Sequence, residues 1–177
     1  MNIEFELRVL EVDENEMIKK LEALGAEKVG EFDQKRYVYD FVPKRENEWI
    51  RLRTNGSKTT LAYKNVEKNT VDGTKELEIE VSSLEKTNEM LKILGYTPKA
   101  YQENRRVRYM LDGIEIDIDS WPKIPTYMEI EGDSEENVLK MVEKLEIPKE
   151  RITYLNCEDI YKEIYGINID DIKELRF

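Results

Sequence analysis

The chain has no histidine and a single cysteine, Cys157, among 177 residues. An internal disulfide is excluded, and one thiol fits a reducing compartment. Zinc sites built from His and Cys are ruled out, and so is nucleophilic catalysis by a Ser-His or Cys-His pair. Any metal here must be held by oxygen. No apolar run approaches the roughly 20 residues needed to cross a bilayer, and Glu4, Glu6 and Arg8 stand where a signal peptide would need its apolar core. The expectation is a cytoplasmic protein with no membrane partner. No Gly-rich phosphate loop occurs. Bases are outnumbered, 28 Lys and Arg against 39 Asp and Glu for a net charge of −11, which speaks against a broad basic surface for duplex nucleic acid.

What the chain does have is alternation. In Glu4-Phe5-Glu6-Leu7-Arg8, read as a β-strand, Glu4, Glu6 and Arg8 share one face while Phe5 and Leu7 share the other. The pattern returns in acidic form over 76–81, 114–119 and 128–131, and in basic form at Trp49-Ile50-Arg51-Leu52-Arg53 and Arg106-Val107-Arg108-Tyr109. With strands near 34–41 and 58–65, this predicts eight strands. Helical spacing predicts one helix opened by Asp13 and closed at Gly25, a second capped by Ser82 and ended at Gly95, and a third opened by Asp133 and stopped before Pro148. A hairpin is expected at Asn55-Gly56 and another at Asp112-Gly113, with a loop over 66–74. From about residue 149 the chain reads as helical or irregular, with helix around Ile160 to Tyr165 and a short one over 170–177. The length fits one domain over 1–177.

Two arrangements are compatible with the alternation. In one, an open antiparallel sheet turns its charged side to water. In the other, the strands close into a barrel with helices outside and the charges within. The charges are sorted by strand, which leaves like charges two residues apart on one face, and such neighbours repel unless an opposite charge lies between them. A closed charged interior would have to hold water, metal and anion, because unpaired buried charges are costly. Carboxylates without His or Cys suit Mg²⁺ or Mn²⁺. Arg and Lys suit phosphate oxygens.

Glu4-Phe5-Glu6-Leu7-Arg8 resembles the N-terminal ExExK signature of the CYTH, or triphosphate tunnel metalloenzyme, superfamily. The resemblance continues through Trp49-Ile50-Arg51-Leu52-Arg53, Leu61-Ala62-Tyr63-Lys64, Glu78-Ile79-Glu80, Arg106, Asp119 and Glu129-Ile130-Glu131. It implies an α+β fold built on an eight-stranded antiparallel tunnel and divalent-metal-dependent chemistry on a triphosphate. On this resemblance Arg51, Arg53, Lys64, Arg106 and Arg108 grip the triphosphate with Arg8 assisting. Glu4, Glu6, Glu129 and Glu131 hold Mg²⁺ or Mn²⁺, supported by Asp119 and by Glu78 or Glu80, and Glu6 and Arg8 are the catalytic pair. Glu76, Glu115 and Asp117 rank as mouth or salt-bridge residues. Two positions depart from the family pattern: Arg8 replaces the signature Lys, and Asn104 replaces the first base of the basic-x-basic pair on the sixth strand.

The activity expected first is hydrolysis of inorganic or thiamine triphosphate. The others are a class IV adenylate cyclase acting on ATP, a non-catalytic polyphosphate or nucleotide sensor, and a plain interaction domain. A homodimer is compatible with all four.

Overall fold

The computed structural model describes residues 2–177. Three amphipathic helices form where a side-chain oxygen meets a free backbone N–H at the first turn. These are α1 (Glu14–Ala23), α2 (Leu84–Ile93) and α3 (Glu135–Lys144), capped by Asp13, Ser83 and Ser134, which accept from Glu16, Lys86 and Asn137. Each helix carries Glu in its first turn and Lys in its last, in accord with the helix dipole. The caps of α2 and α3 are Ser83 and Ser134 rather than the expected Ser82 and Asp133, because a capping oxygen must stand one residue before the first helical one to reach the backbone N–H three residues on, within the first turn. Gly25 ends α1 with φ +82°, a backbone angle that favours glycine.

Eight strands make the body: β1 (Asn2–Val9), β2 (Glu27–Asp40), β3 (Glu48–Thr54), β4 (Thr59–Val66), β5 (Thr74–Val81), β6 (Ala100–Leu111), β7 (Ile114–Ser120) and β8 (Tyr127–Gly132). They run in the order β6-β2-β3-β4-β5-β1-β8-β7, antiparallel throughout, and the β6–β7 pairing closes the ring. The open sheet is thereby excluded. Strand β2 starts at Glu27, well before the expected residue 34. Its first half alternates poorly, but it pairs with β6 from Glu27↔Met110 onward, so partnership rather than periodicity decides its length.

The apolar face points outward and much of it is buried under the helices, while Ile3 of β1 and Leu77 and Ile79 of β5 stay exposed. Leu7, Ile116, Met128 and Ile130 are fully buried with Val138 and Leu145 of α3 and Leu21 of α1. Tyr39 and Leu52 form a second cluster with Leu84 and Leu91 of α2. The stretch after 149 folds back as a helical turn over 157–164, a 3₁₀ turn over Ile169–Asp171 and a two-residue strand, Glu174–Leu175, lying parallel to β6. A terminal helix over 170–177 is absent, since backbone pairing with β6 takes its place. Trp121, Tyr127, Ile160, Tyr161, Ile169 and Leu175 bind this segment to one end of the barrel. Among the described residues no helix is long and apolar enough to cross a membrane.

Ile130 has no exposed surface and lies beneath α3. Ile130→Ala should cost about 2–5 kcal/mol and lower the melting temperature by roughly 2–4 °C per kcal/mol in a chain of this size. A melt within a degree of the parent would mean that this helix-to-barrel contact does not hold the molecule together.

Candidate active site

The closed order brings together what the sequence leaves scattered. Strands β6, β2, β3 and β4 are consecutive and carry inward-facing Arg106 and Arg108, Arg36, Arg51 and Arg53, and Lys64. The other four, β5, β1, β8 and β7, carry Glu76 and Glu78, Glu4 and Glu6, Glu129 and Glu131, and Glu115, Asp117 and Asp119. One wall is basic and the opposite wall acidic. Arg8, on β1, is the one base set into the acidic wall.

A mouth of about 400 Å³ is lined by Glu4, Glu115, Glu131 and Arg108. It shares Arg51, Arg53, Lys64, Arg106 and Glu129 with a narrower inner cavity of about 110 Å³. The inner cavity lies against Trp121, Tyr127, Cys157 and Ile169, where the C-terminal segment packs on the barrel, and it shares Trp49, Lys99, Asn156 and Asp170 with a further cavity of about 450 Å³. Lys99 fastens that segment, with its Nζ 2.8 Å from Asp170, 3.4 Å from Asp40 and 3.5 Å from Glu158.

Where the walls meet, charges pair. Arg106 spans Asp119 and Asp117, each at 2.5 Å, and Arg108 lies 2.8 Å from Asp117 and 2.7 Å from Glu115. Arg51 reaches Glu76 at 2.9 Å and Glu78 at 3.0 Å, while Lys64 reaches Glu76 at 2.6 Å and Glu4 at 3.0 Å. Arg8 lies 2.9 Å from Glu6 and 2.7 Å from Glu129, and donates to the Leu155 carbonyl. Although burial acts upward, Arg8 and Arg106 hold the Glu129 carboxyl down at about 2.

Away from these pairs, each wall keeps charge it does not neutralise. Cross-strand register sets Glu6 opposite Glu131 and Glu131 opposite Glu115, three acids in a row. Among the described residues Glu131 has no ion pair, and burial, then Glu129 and Glu6, push its carboxyl up to about 7. Glu115 also rises to about 7, through burial and then Asp117. Glu4 rises to about 9, through burial and then a hydrogen bond shared with Glu76. On the basic wall, burial and the neighbouring Arg51, Arg36 and Arg106 drive Arg53 well below its usual range.

An oxygen-only donor set with uncompensated negative charge fits a hard divalent cation. Among the described residues no three carboxylates already converge on one point. The fit therefore rests on the character of the row Glu6, Glu131, Glu115 rather than on a finished cage.

Nearly all the residues expected from the sequence meet in this bore. Glu80 does not: its side chain is 67% exposed and pairs with Lys58, because β5 runs past the mouth at that point. Asp119 lies inside, but both its oxygens accept from Arg106 and one also from Asn104. Glu76 and Asp117 are the salt-bridge residues expected, Glu76 lining the mouth between Arg51 and Lys64 and Asp117 buried between Arg106 and Arg108. Arg36 and Gln34 were missed among the candidates. The alternation of β2, with Tyr37 and Tyr39 on one face, already set Arg36 on the other.

The family model described as CYTH domain matches residues 1–156. This chain belongs to the CYTH family. Solved structures show the same fold. The PH1012 protein of Pyrococcus horikoshii OT3 superposes with a TM-score of 0.76 at 23% identity, over 87% of this chain and 96% of that one. A candidate adenylate cyclase of Vibrio parahaemolyticus gives 0.77 at 15%, over 93% and 98%. A candidate adenylyl cyclase of Hippeastrum with a dominant triphosphatase activity gives 0.62 at 17%, over 94% and 97%. No curated protein matches. Within the CYTH barrel of this chain, Arg8 at the end of the signature reaches two carboxylates through Nη2 and a carbonyl through Nη1.

Carboxyls raised by burial stabilise the fold fully below their ordinary range, and that contribution is lost as pH rises through their folded values. With no histidine in the chain, Glu131, Glu115 and Glu4 dominate titration between pH 5 and 9. The melting temperature of the metal-free protein in EDTA should therefore fall by several degrees from pH 5.5 to 8.5, and Glu131→Gln should flatten the slope. A flat profile in the parent would show that these carboxyls titrate normally.

Proposed function

We propose that this CYTH protein is a divalent-metal-dependent phosphoryl-transfer enzyme that hydrolyses a triphosphate. The observation that carries the reading is the opposition of two incompletely neutralised walls across one narrow bore. A linear polyanion with a dication is the small ligand whose charges complement both. Lys and Arg grip phosphate oxygens: here Arg51, Arg53, Lys64 and Arg106 stand around the junction of the two cavities, and Arg108 is nearer the mouth. Glu4, Glu6, Glu129 and Glu131 would hold the ion. Bound there, a divalent cation supplies positive charge against phosphate oxygens as negative charge builds in the transition state. Asp119 has its oxygens taken and serves to orient Arg106, while Arg8 holds Glu6 and Glu129 apart and in place. Glu4 and Glu131 must lose protons to bind the ion, so its affinity should rise with pH between about 6 and 9.

Hydrolysis is put before cyclisation because the two charged walls already complement the phosphates and the ion without calling on a nucleobase. The triphosphatase activity of the Hippeastrum neighbour is in line with this. The deciding assay incubates the purified protein with Mg²⁺ or Mn²⁺ and inorganic triphosphate, thiamine triphosphate or ATP. Phosphate release is expected. Pyrophosphate with cyclic AMP would make the protein a cyclase, binding without turnover would make it a sensor, and the absence of binding would end the triphosphate reading.

Two variants test the division of labour. Glu6→Gln should cut metal-dependent turnover at least tenfold while the protein remains folded. Arg53→Ala should raise KM or Kd about 10- to 100-fold, the loss of one or two charge-assisted hydrogen bonds. Parental kinetics in both would take these residues out of the site.

A further inference from the structure

Arg36 is a buried cation without a counter-ion. It stands on β2 directly across from Arg53 of β3, and 8% of its surface is exposed. Its Nη2 donates to Gln34 Oε1 at 3.0 Å and to Asn104 Oδ1, two neutral amides. The Nε is buried with no acceptor, and the Trp121 ring covers the guanidinium, its centroid 4.5 Å away. Among the described residues no carboxylate lies within ion-pairing distance. Burial, then Arg51 and Arg106 of its own sign, lower the guanidinium to about 10 against the weaker upward pull of Asp119, to which Asn104 links it, so it remains a cation at neutral pH. Every other arginine of the bore touches at least one carboxylate.

A side chain in this position is costly to the empty protein, since buried charge is tolerated where it is paired. The amides fix the guanidinium in orientation without neutralising it, which is what a group aimed at an arriving anion requires. Arg36 lines the inner cavity and does not line the acidic mouth. Past it lie Trp121, Tyr127 and Cys157, and beside them Trp49, Lys99, Asn156 and Asp170, which the inner cavity shares with a further cavity of about 450 Å³.

We propose that Arg36 is a substrate-binding residue that takes a phosphate of the triphosphate in the inner cavity. This rests on the triphosphate reading above and adds a phosphate contact on β2, a strand to which the sequence pattern assigns none.

The test is calorimetric titration of inorganic triphosphate in EDTA, without turnover, alongside thermal melts. Arg36→Gln should bind at least tenfold more weakly than the parent, yet melt at the same or a higher temperature, because it removes an unpaired buried charge. Arg36→Lys, which keeps the charge, should recover part of the affinity. Parental affinity in Arg36→Gln overturns the assignment while leaving the triphosphate reading intact. Lower melting temperatures with equal affinity losses in both variants would make Arg36 a structural residue instead. A parent that binds triphosphate only with Mg²⁺ moves the same comparison of variants to Mg²⁺, and one that binds it neither in EDTA nor with Mg²⁺ would remove both readings together.

Discussion

Repulsion between like charges on adjacent strands is the force the rest of the molecule answers to. Four consecutive strands present acids to the interior and four present bases, so each wall taken alone would push itself apart. Closure of the ring makes the walls face one another. Arg106 then spans Asp117 and Asp119, and Arg51 with Lys64 spans Glu4, Glu76 and Glu78. These bridges stitch the barrel across its seams, and what they leave unneutralised, at Glu131 on one side and at Arg36 on the other, is the binding capacity of the bore.

The same electrostatics explains Arg8. A lone base on the acidic wall, it separates Glu6 from Glu129 and is anchored at its far side by the Leu155 carbonyl. A guanidinium makes these three contacts at once in a fixed fork and cannot give up its proton near neutral pH. Its position suits the shaping of a carboxylate group better than the carrying of a proton.

The fold was legible in the sequence to the extent that alternation was strict. Glu4 to Arg8 and Glu129 to Glu131 read correctly because every second residue is ionic, and an enclosed ionic face demands that regularity. The first half of β2 did not read, since Glu27 to Asp33 owe their strand to β6 and carry little pattern of their own. The terminal residues failed as a helix for a similar reason: two of them pair with β6, a partner more than 70 positions away. In the site, Arg36 escaped notice because its strand has only that one ionic residue turned into the inner cavity, amid Gln34 and Val38, so nothing repeated around it. Glu80 was drawn in by the opposite error, as a repeat continued beyond the point where the barrel wall ends.

The position of β1 has a bearing on how the molecule comes into being. It lies between β5 and β8, both of which follow it in the chain, and it meets β8 only through residues 128–132. On the ribosome, Glu4, Glu6 and Arg8 would thus emerge long before either neighbour exists. Strands β2 to β5 are consecutive neighbours that can pair as they emerge, whereas closing the ring through β1 needs contacts of long sequence separation, which form slowly. Until then those acids remain in water, and it is the arrival of β8 that takes them out of it.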